Sequence, residues 1–137
     1  MNAVILAAGD GGRLGALTAD LPKPLVPVGG RPLISYTLDA LRAAGIQRAA
    51  VVLGYRAGQL GETLAREPHG LELAFLYNAR FREGASLSLR TARQFTGSDP
   101  FLLLMADHLL SAPILSRLVE ARCAEPNPAI SFVAADT

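Results

Sequence analysis

The apolar residues of this chain fall in short runs separated by turn residues. Residues 3–8 form an unbroken apolar run closed by Gly9, the pattern of a strand buried on both faces. Apolar side chains at 33, 34, 38 and 41 then follow helical spacing, and Gly45 supplies a stop. Residues 49–53 predict a second buried strand ended by Gly54, and residues 57–66 a short helix ended by Pro68 and Gly70. A third strand is expected over 71–77 and a helix over 86–95, with Ser86 as its N-cap. The pattern closes with a fourth strand at 101–105, a helix over 111–123 carrying Pro113 in its first turn, and a strand beginning at 130–134.

Strands alternating with helices predict an α/β fold with a mostly parallel, Rossmann-like sheet and helices on both faces. Ligands of such sheets bind beyond the carboxyl ends of the strands. Three segments rich in polar or glycine residues fall there: the glycine loop after the first strand, Tyr77-Asn78 after the third, and Asp107-His108 after the fourth.

The 137 residues are read as one domain, 1–137, with half the residues apolar and 18% charged, which excludes a disordered chain. A net charge of +1 gives no bulk attraction to nucleic acid or to an anionic membrane, so any phosphate binding must be local. The single cysteine, Cys123, rules out an internal disulfide and fits a cytoplasmic setting. Neither a signal peptide nor an apolar run of membrane-spanning length is seen.

The chemistry concentrates near the N-terminus. Gly9, Gly11, Gly12 and Gly15 surround Arg13 and let the backbone approach a phosphate, their N–H groups forming an anion-binding concavity. This is neither a dinucleotide fingerprint, which would need glycine where Leu14 stands, nor a P-loop, because Lys23 sits between prolines. A tight turn with a solvated Arg13 explains the glycines alone equally well. Pro22 and Pro24 favour an extended Lys23 on a stiff support, and a rigid cation suits work on a phosphoryl group.

Leu6-Ala-Ala-Gly-Asp-Gly-Gly-Arg13-Leu14, Leu17-Thr18, Pro22-Lys23-Pro24-Leu25, Pro27-Val28, Gly30-Arg-Pro-Leu33, Gly45-Ile46 and Val52-Leu53-Gly54-Tyr55 together resemble the nucleotidyltransferase superfamily, of nucleotide-diphospho-sugar transferase type. Tyr77-Asn78, the 83–89 segment and Leu104-Met105-Ala106-Asp107-His108 are similar to the branch that makes CDP derivatives of phosphocholine or inositol 1-phosphate. Ala85 departs from that branch, which often carries asparagine there.

The resemblance implies Mg²⁺-dependent in-line transfer of a nucleoside monophosphate, CMP from CTP in this branch, to a phosphorylated alcohol, with release of pyrophosphate. It assigns Arg13 to the leaving β- and γ-phosphates, Lys23 to the α-phosphate, and Asp107 to the metal. Leu6, Ala7, Ala8, Gly9, Gly11 and Gly12 are expected to contact base and phosphates. Asn78 and Ser86 are candidates for base or ribose, with a turn and a helix cap as their structural alternatives. His108 is expected on the acceptor side or in a structural role, His69 in solvent, and Tyr55 and Arg56 as packing or loop residues. The resemblance also implies a longer catalytic domain whose C-terminal part supplies a second metal carboxylate and most of the acceptor pocket, so the chain is read as C-terminally truncated. Sugar-phosphate uridylyl- or guanylyltransfer, molybdenum-cofactor nucleotidyltransfer, and a non-catalytic nucleotide-binding module are the alternatives.

Overall fold

The computed structural model describes residues 1–128, 131 and 132. Strands β1 (Asn2–Leu6), β4 (Arg48–Leu53), β5 (Glu72–Tyr77) and β6 (Phe101–Met105) form one sheet, all parallel, in the order β5-β4-β1-β6. Between β1 and β4 lie a two-residue hairpin, β2 (Pro27–Val28) and β3 (Arg31–Pro32), and helix α1 (Leu33–Ala43). Helix α2 (Ala57–Arg66) links β4 to β5. Two short helices, α3 (Ala85–Thr91) and α4 (Arg93–Thr96), lead to β6, and α5 (Ala112–Ala124) follows it.

The sheet is covered on both sides. Ala3, Ile5, Ala49, Val51, Leu102 and Leu104 face α1, α2 and α5, burying Ile34, Leu38, Leu41, Leu60, Leu64 and Leu115. Val4, Leu6 and Val52 face the opposite way, against Ala92 and Phe95. Each strand therefore contributes apolar side chains in both directions, which is why β1 and β4 read as continuous apolar runs. Helix α1 ends in a left-handed Gly45 at φ 81. The Gly45 N–H donates to the Arg42 carbonyl and the Ile46 N–H to the Leu41 carbonyl, each at 3.0 Å. That pairing satisfies the orphan carbonyls of the last turn and needs a residue without Cβ at the bend.

Several expectations are corrected. The anticipated helix over 86–95 is two short helices, and Ser86 does not cap it: the helix starts at Ala85 after Gly84, placing Ser86 inside the first turn. Ala92 is fully buried where the two helices meet. Lys23 is not extended; it opens a 3-10 turn, Lys23–Leu25, closed by Leu25 N–H to the Pro22 carbonyl (2.8 Å) and Val26 N–H to that of Lys23 (3.1 Å). The support is stiff all the same, because Pro22, Pro24 and Leu25 are buried. His69 is half-buried rather than solvated, its Nε2 lying 3.0 Å from the Leu64 carbonyl in the last turn of α2. The strand expected at 130–134 falls outside the described residues, apart from 131 and 132.

Candidate functional site

In this strand order β1 is central, with β4 on one side and β6 on the other, so the chain direction across the sheet reverses between β1 and β6. Loops leaving two strands at such a point diverge and open a crevice between them. The ladder runs on past the strands to shape its floor. Ala7 N–H bonds the Val52 carbonyl, Ala106 N–H that of Leu6, and Tyr55 N–H that of Ala8.

The crevice holds a cleft of about 320 Å³. Leu6, Ala7 and Gly9 line it from the end of β1, Asp10, Gly11, Gly12 and Arg13 from the glycine loop, Lys23 and Pro24 from the proline-braced turn, and Met105, Ala106 and Asp107 from the end of β6. A second cleft, about 360 Å³, shares Leu6, Gly9, Asp10 and Met105 and adds Ala8, Phe81, Arg82, Gly84, Ala85 and Ser88.

The glycine loop folds as a 3-10 segment, Gly12–Thr18, kinked at Gly15. Gly11 enters it left-handed at φ 64, and a Cβ there would meet Thr18 Cγ2 at 2.8 Å and Lys23 Cβ at 3.1 Å. Both the backbone angle and the close approach therefore require glycine. The buried Thr18 hydroxyl lies 3.0 Å from the Gly11 carbonyl and 3.2 Å from that of Gly15, fastening the loop across its base. Asp10 Oδ1 accepts from the Gly12 N–H at 3.1 Å.

Lys23 Nζ donates to Asp107 Oδ2 at 2.7 Å, joining the proline-braced turn to the end of β6. About a third of each side chain stays open to solvent. Partial burial pushes the Asp107 carboxyl up, but the hydrogen bond and charge of Lys23, helped by His108 beside it, outweigh that and hold it below its ordinary range. Asp107 is thus ionised at neutral pH, and His108 Nε2 sits 3.7 Å from its other oxygen. The donor set suits a hard cation. Mg²⁺ takes one or two carboxylates and draws its remaining ligands from phosphate oxygens and water, and a half-open carboxylate in a phosphate-sized cleft offers that. Among the described residues no group of three or more His, Cys, Asp or Glu side chains gathers to hold a metal unaided.

Of the residues expected from the sequence, Arg13, Lys23, Asp107, Leu6, Ala7, Gly9, Gly11 and Gly12 converge on the first cleft, and Ala8 lines the second. Ser86 lines neither. Asn78 is buried, and its side chain is committed to structure: the amide donates to Ser88 Oγ at 3.0 Å and its oxygen accepts from Arg80 N–H at 2.9 Å. The turn role is the one observed. Asn78 reaches the second cleft only by holding Ser88 in place. Sequence reasoning missed Asp10 and Arg82 as lining residues; an aspartate between glycines signals an Asx turn but not where the turn points.

A parallel α/β domain whose cleft opens at the switch point, between a glycine-rich loop and a lysine–aspartate pair, has the nucleotidyltransferase fold. Over residues 3–137 the chain matches the MobA-like NTP transferase domain, and it belongs to that family. It is 37% identical over 122 residues to a CMP-5'-(3-aminopropyl)phosphonate synthase of Streptomyces rubellomurinus, covering 88% of this chain and 19% of that protein. It is 33% identical over 112 residues to a UTP–glucose-1-phosphate uridylyltransferase of Haloferax volcanii, covering 82% and 45%. The solved inositol-1-phosphate CTP transferase of T. maritima superposes with a TM-score of 0.75 at 28% identity, over 83% of this chain and 46% of that one. The chain thus spans less than half the length of each of these relatives.

Proposed function

We propose that this chain is the triphosphate-binding part of an enzyme that transfers a nucleoside monophosphate from a nucleoside triphosphate to a phosphorylated alcohol. An oxygen of the acceptor phosphate forms a bond to the α-phosphorus, the bond to the β-phosphate oxygen breaks, and pyrophosphate leaves. The acceptor is already an anion near neutral pH, so no side chain need remove a proton. Repulsion between anions is the barrier the site must lower: two unit charges about 4 Å apart cost roughly 1 kcal/mol in water and roughly 4 at an effective dielectric of 20.

The residues divide that task. Lys23 serves the α-phosphate, where charge shifts during transfer. Arg13 presents its planar fork to the departing β- and γ-phosphates. The glycine-loop backbone supplies fixed N–H donors. Asp107 would hold Mg²⁺, which when bound neutralises phosphate charge. The observation that carries this reading is the meeting of Lys23 and Asp107, far apart in sequence, at 2.7 Å in a cleft walled by the glycine loop.

We further propose CTP as donor and a polyol phosphate or phosphocholine as acceptor. The likeness to the inositol-1-phosphate CTP transferase supports this, as does the relative whose name marks a CMP-linked product. The test is pyrophosphate release by the full-length protein, with CTP, UTP, GTP and ATP in turn, with and without chelator. Fastest turnover with CTP, abolished by chelation, is expected. Preference for UTP or GTP would overturn the donor assignment, and release from none of the four would overturn the activity.

A further inference from the structure

We infer that Tyr55 and Arg56, which follow β4, are positioning residues for the same site: they clasp the far limb of the glycine loop and so hold Arg13 in place. The inference rests on the proposed reaction for the role of Arg13, but the clasp itself is read from contacts alone.

Among the described residues Arg56 is the one non-glycine residue with positive φ (φ 48, ψ 41). A side chain with a Cβ adopts this conformation uncommonly, and surrounding contacts must hold it there. Those contacts run to Tyr55 and, through it and directly, to the end of the glycine loop. Arg56 Nη2 donates to the Ala19 carbonyl at 2.6 Å, while its Nε donates to the Tyr55 hydroxyl at 3.1 Å. That hydroxyl donates to the Thr18 carbonyl at 3.1 Å, and Gln59 Nε2 lies 3.4 Å from the Asp20 carbonyl. Three consecutive carbonyls, 18 to 20, thus face donors from one short segment. The guanidinium also lies over the Tyr55 ring, 5.6 Å from its centre.

The chain of bonds continues inward. The Thr18 hydroxyl reaches the carbonyls of Gly11 and Gly15, which flank Arg13 on either side. The Arg13 side chain makes no hydrogen bond or ion pair among the described residues, so its position depends on the backbone beneath it. The base of the clasp is equally constrained. Tyr55 N–H donates to the Ala8 carbonyl at 2.9 Å, and Gly54 has no room for a side chain. Tyr55 and Arg56 belong to neither apolar core cluster, so removing their polar groups leaves the packing of the sheet untouched.

The test compares Tyr55→Phe, Arg56→Gly and the double variant with the unaltered full chain. Glycine tolerates the left-handed backbone, so Arg56→Gly removes the side chain, with its bond to Ala19 and its contact over the Tyr55 ring, without straining the backbone. Two readouts separate positioning from general stability. In limited trypsin digestion, cleavage after Arg13 should speed up about tenfold in the double variant, with other sites and the thermal midpoint unchanged. In the reverse reaction, the KM for pyrophosphate should rise about tenfold while that for the phosphorylated acceptor in the forward direction stays within about twofold. Arg13 cleavage at the wild-type rate, or equal acceleration at every site with a lowered midpoint, overturns the clasp. Faster Arg13 cleavage in a protein that transfers no nucleotide would leave the clasp standing and overturn the proposed activity instead.

Discussion

Replacing Lys23 with alanine removes the cation nearest the proposed α-phosphate, and the structure sets the size of the effect. The Lys23 ammonium sits 2.7 Å from Asp107, with 30% of the Lys23 side chain exposed, so the site lies between protein interior and water. One unit charge acting on a phosphate oxygen about 4 Å away contributes roughly 1 to 4 kcal/mol across that range of dielectric. The loss also leaves the Asp107 carboxylate facing the incoming anion without its counter-ion. Turnover should therefore fall by about 30- to 1000-fold, which corresponds to roughly 2–4 kcal/mol. Unfolding does not account for a loss of that size, because an ion pair about a third exposed to solvent contributes only about 0–1 kcal/mol to stability. Lys23→Met keeps the length of the side chain without its charge and should match alanine, while Lys23→Arg should recover part of the rate. The assay is pyrophosphate release by the full-length protein at saturating triphosphate, with kcat and KM separated. A cation acting on developing charge lowers kcat more than it raises KM. Turnover of Lys23→Ala within about threefold of wild type would refute the assignment.

Gly54→Ala should destabilise the fold by about 1–3 kcal/mol, read as a lowered midpoint in denaturant, because the new Cβ would lie 2.5 Å from Phe81 Cβ and 2.7 Å from the Ala8 carbonyl oxygen. An unchanged midpoint would mean that Phe81 swings away freely. Asn78→Ala should cost about 1–3 kcal/mol in the same measurement, since it strands the buried Ser88 hydroxyl and the Arg80 N–H that the amide serves. Asp107 titrates below its ordinary value of 3.8, so its stabilising contribution is in place above that value and is lost as pH falls through the lower, folded-state value. The small stability deficit of Asp107→Asn should accordingly be present at neutral pH and vanish in acid; a deficit that persists well below 3.8 would contradict the pairing.

How much of this was legible in the sequence differs by level. The buried strands were plain because β1, β4 and β6 carry apolar residues toward both faces or alternate cleanly, and α1 because Leu33, Ile34, Leu38 and Leu41 repeat at helical spacing. That the glycine loop with Arg13 and the segment with Asp107 would meet followed from placing them at the carboxyl ends of parallel strands, whereas Lys23 was assigned there by its proline-flanked turn and the family resemblance. What stayed hidden has no periodic signature. The hairpin at Pro27–Val28 and Arg31–Pro32 is too short to alternate, and the 3-10 fold of the glycine loop follows no hydrophobic pattern. Lys23 took the turn that residues before proline disfavour, because two hydrogen bonds and the burial of its flanking prolines outweighed the local preference. Contacts such as Tyr55 with Thr18 or Asn78 with Ser88 join segments that meet only once the sheet has assembled, and local sequence does not carry them.

The placement of β1 has a consequence for how the protein is made. β1 precedes both of its neighbours along the chain: its ladder partners begin at Ala49 on one side and at Phe101 on the other. A nascent chain therefore holds an apolar, half-paired strand until residues 101–105 have been synthesised, and closing so long a loop is entropically slow. β6, the later of those two partners, is also the strand that brings Asp107 to Lys23. The cleft between the glycine loop and the end of β6 therefore forms only after β6 has docked, too late for a ligand bound there to scaffold the earlier steps of folding.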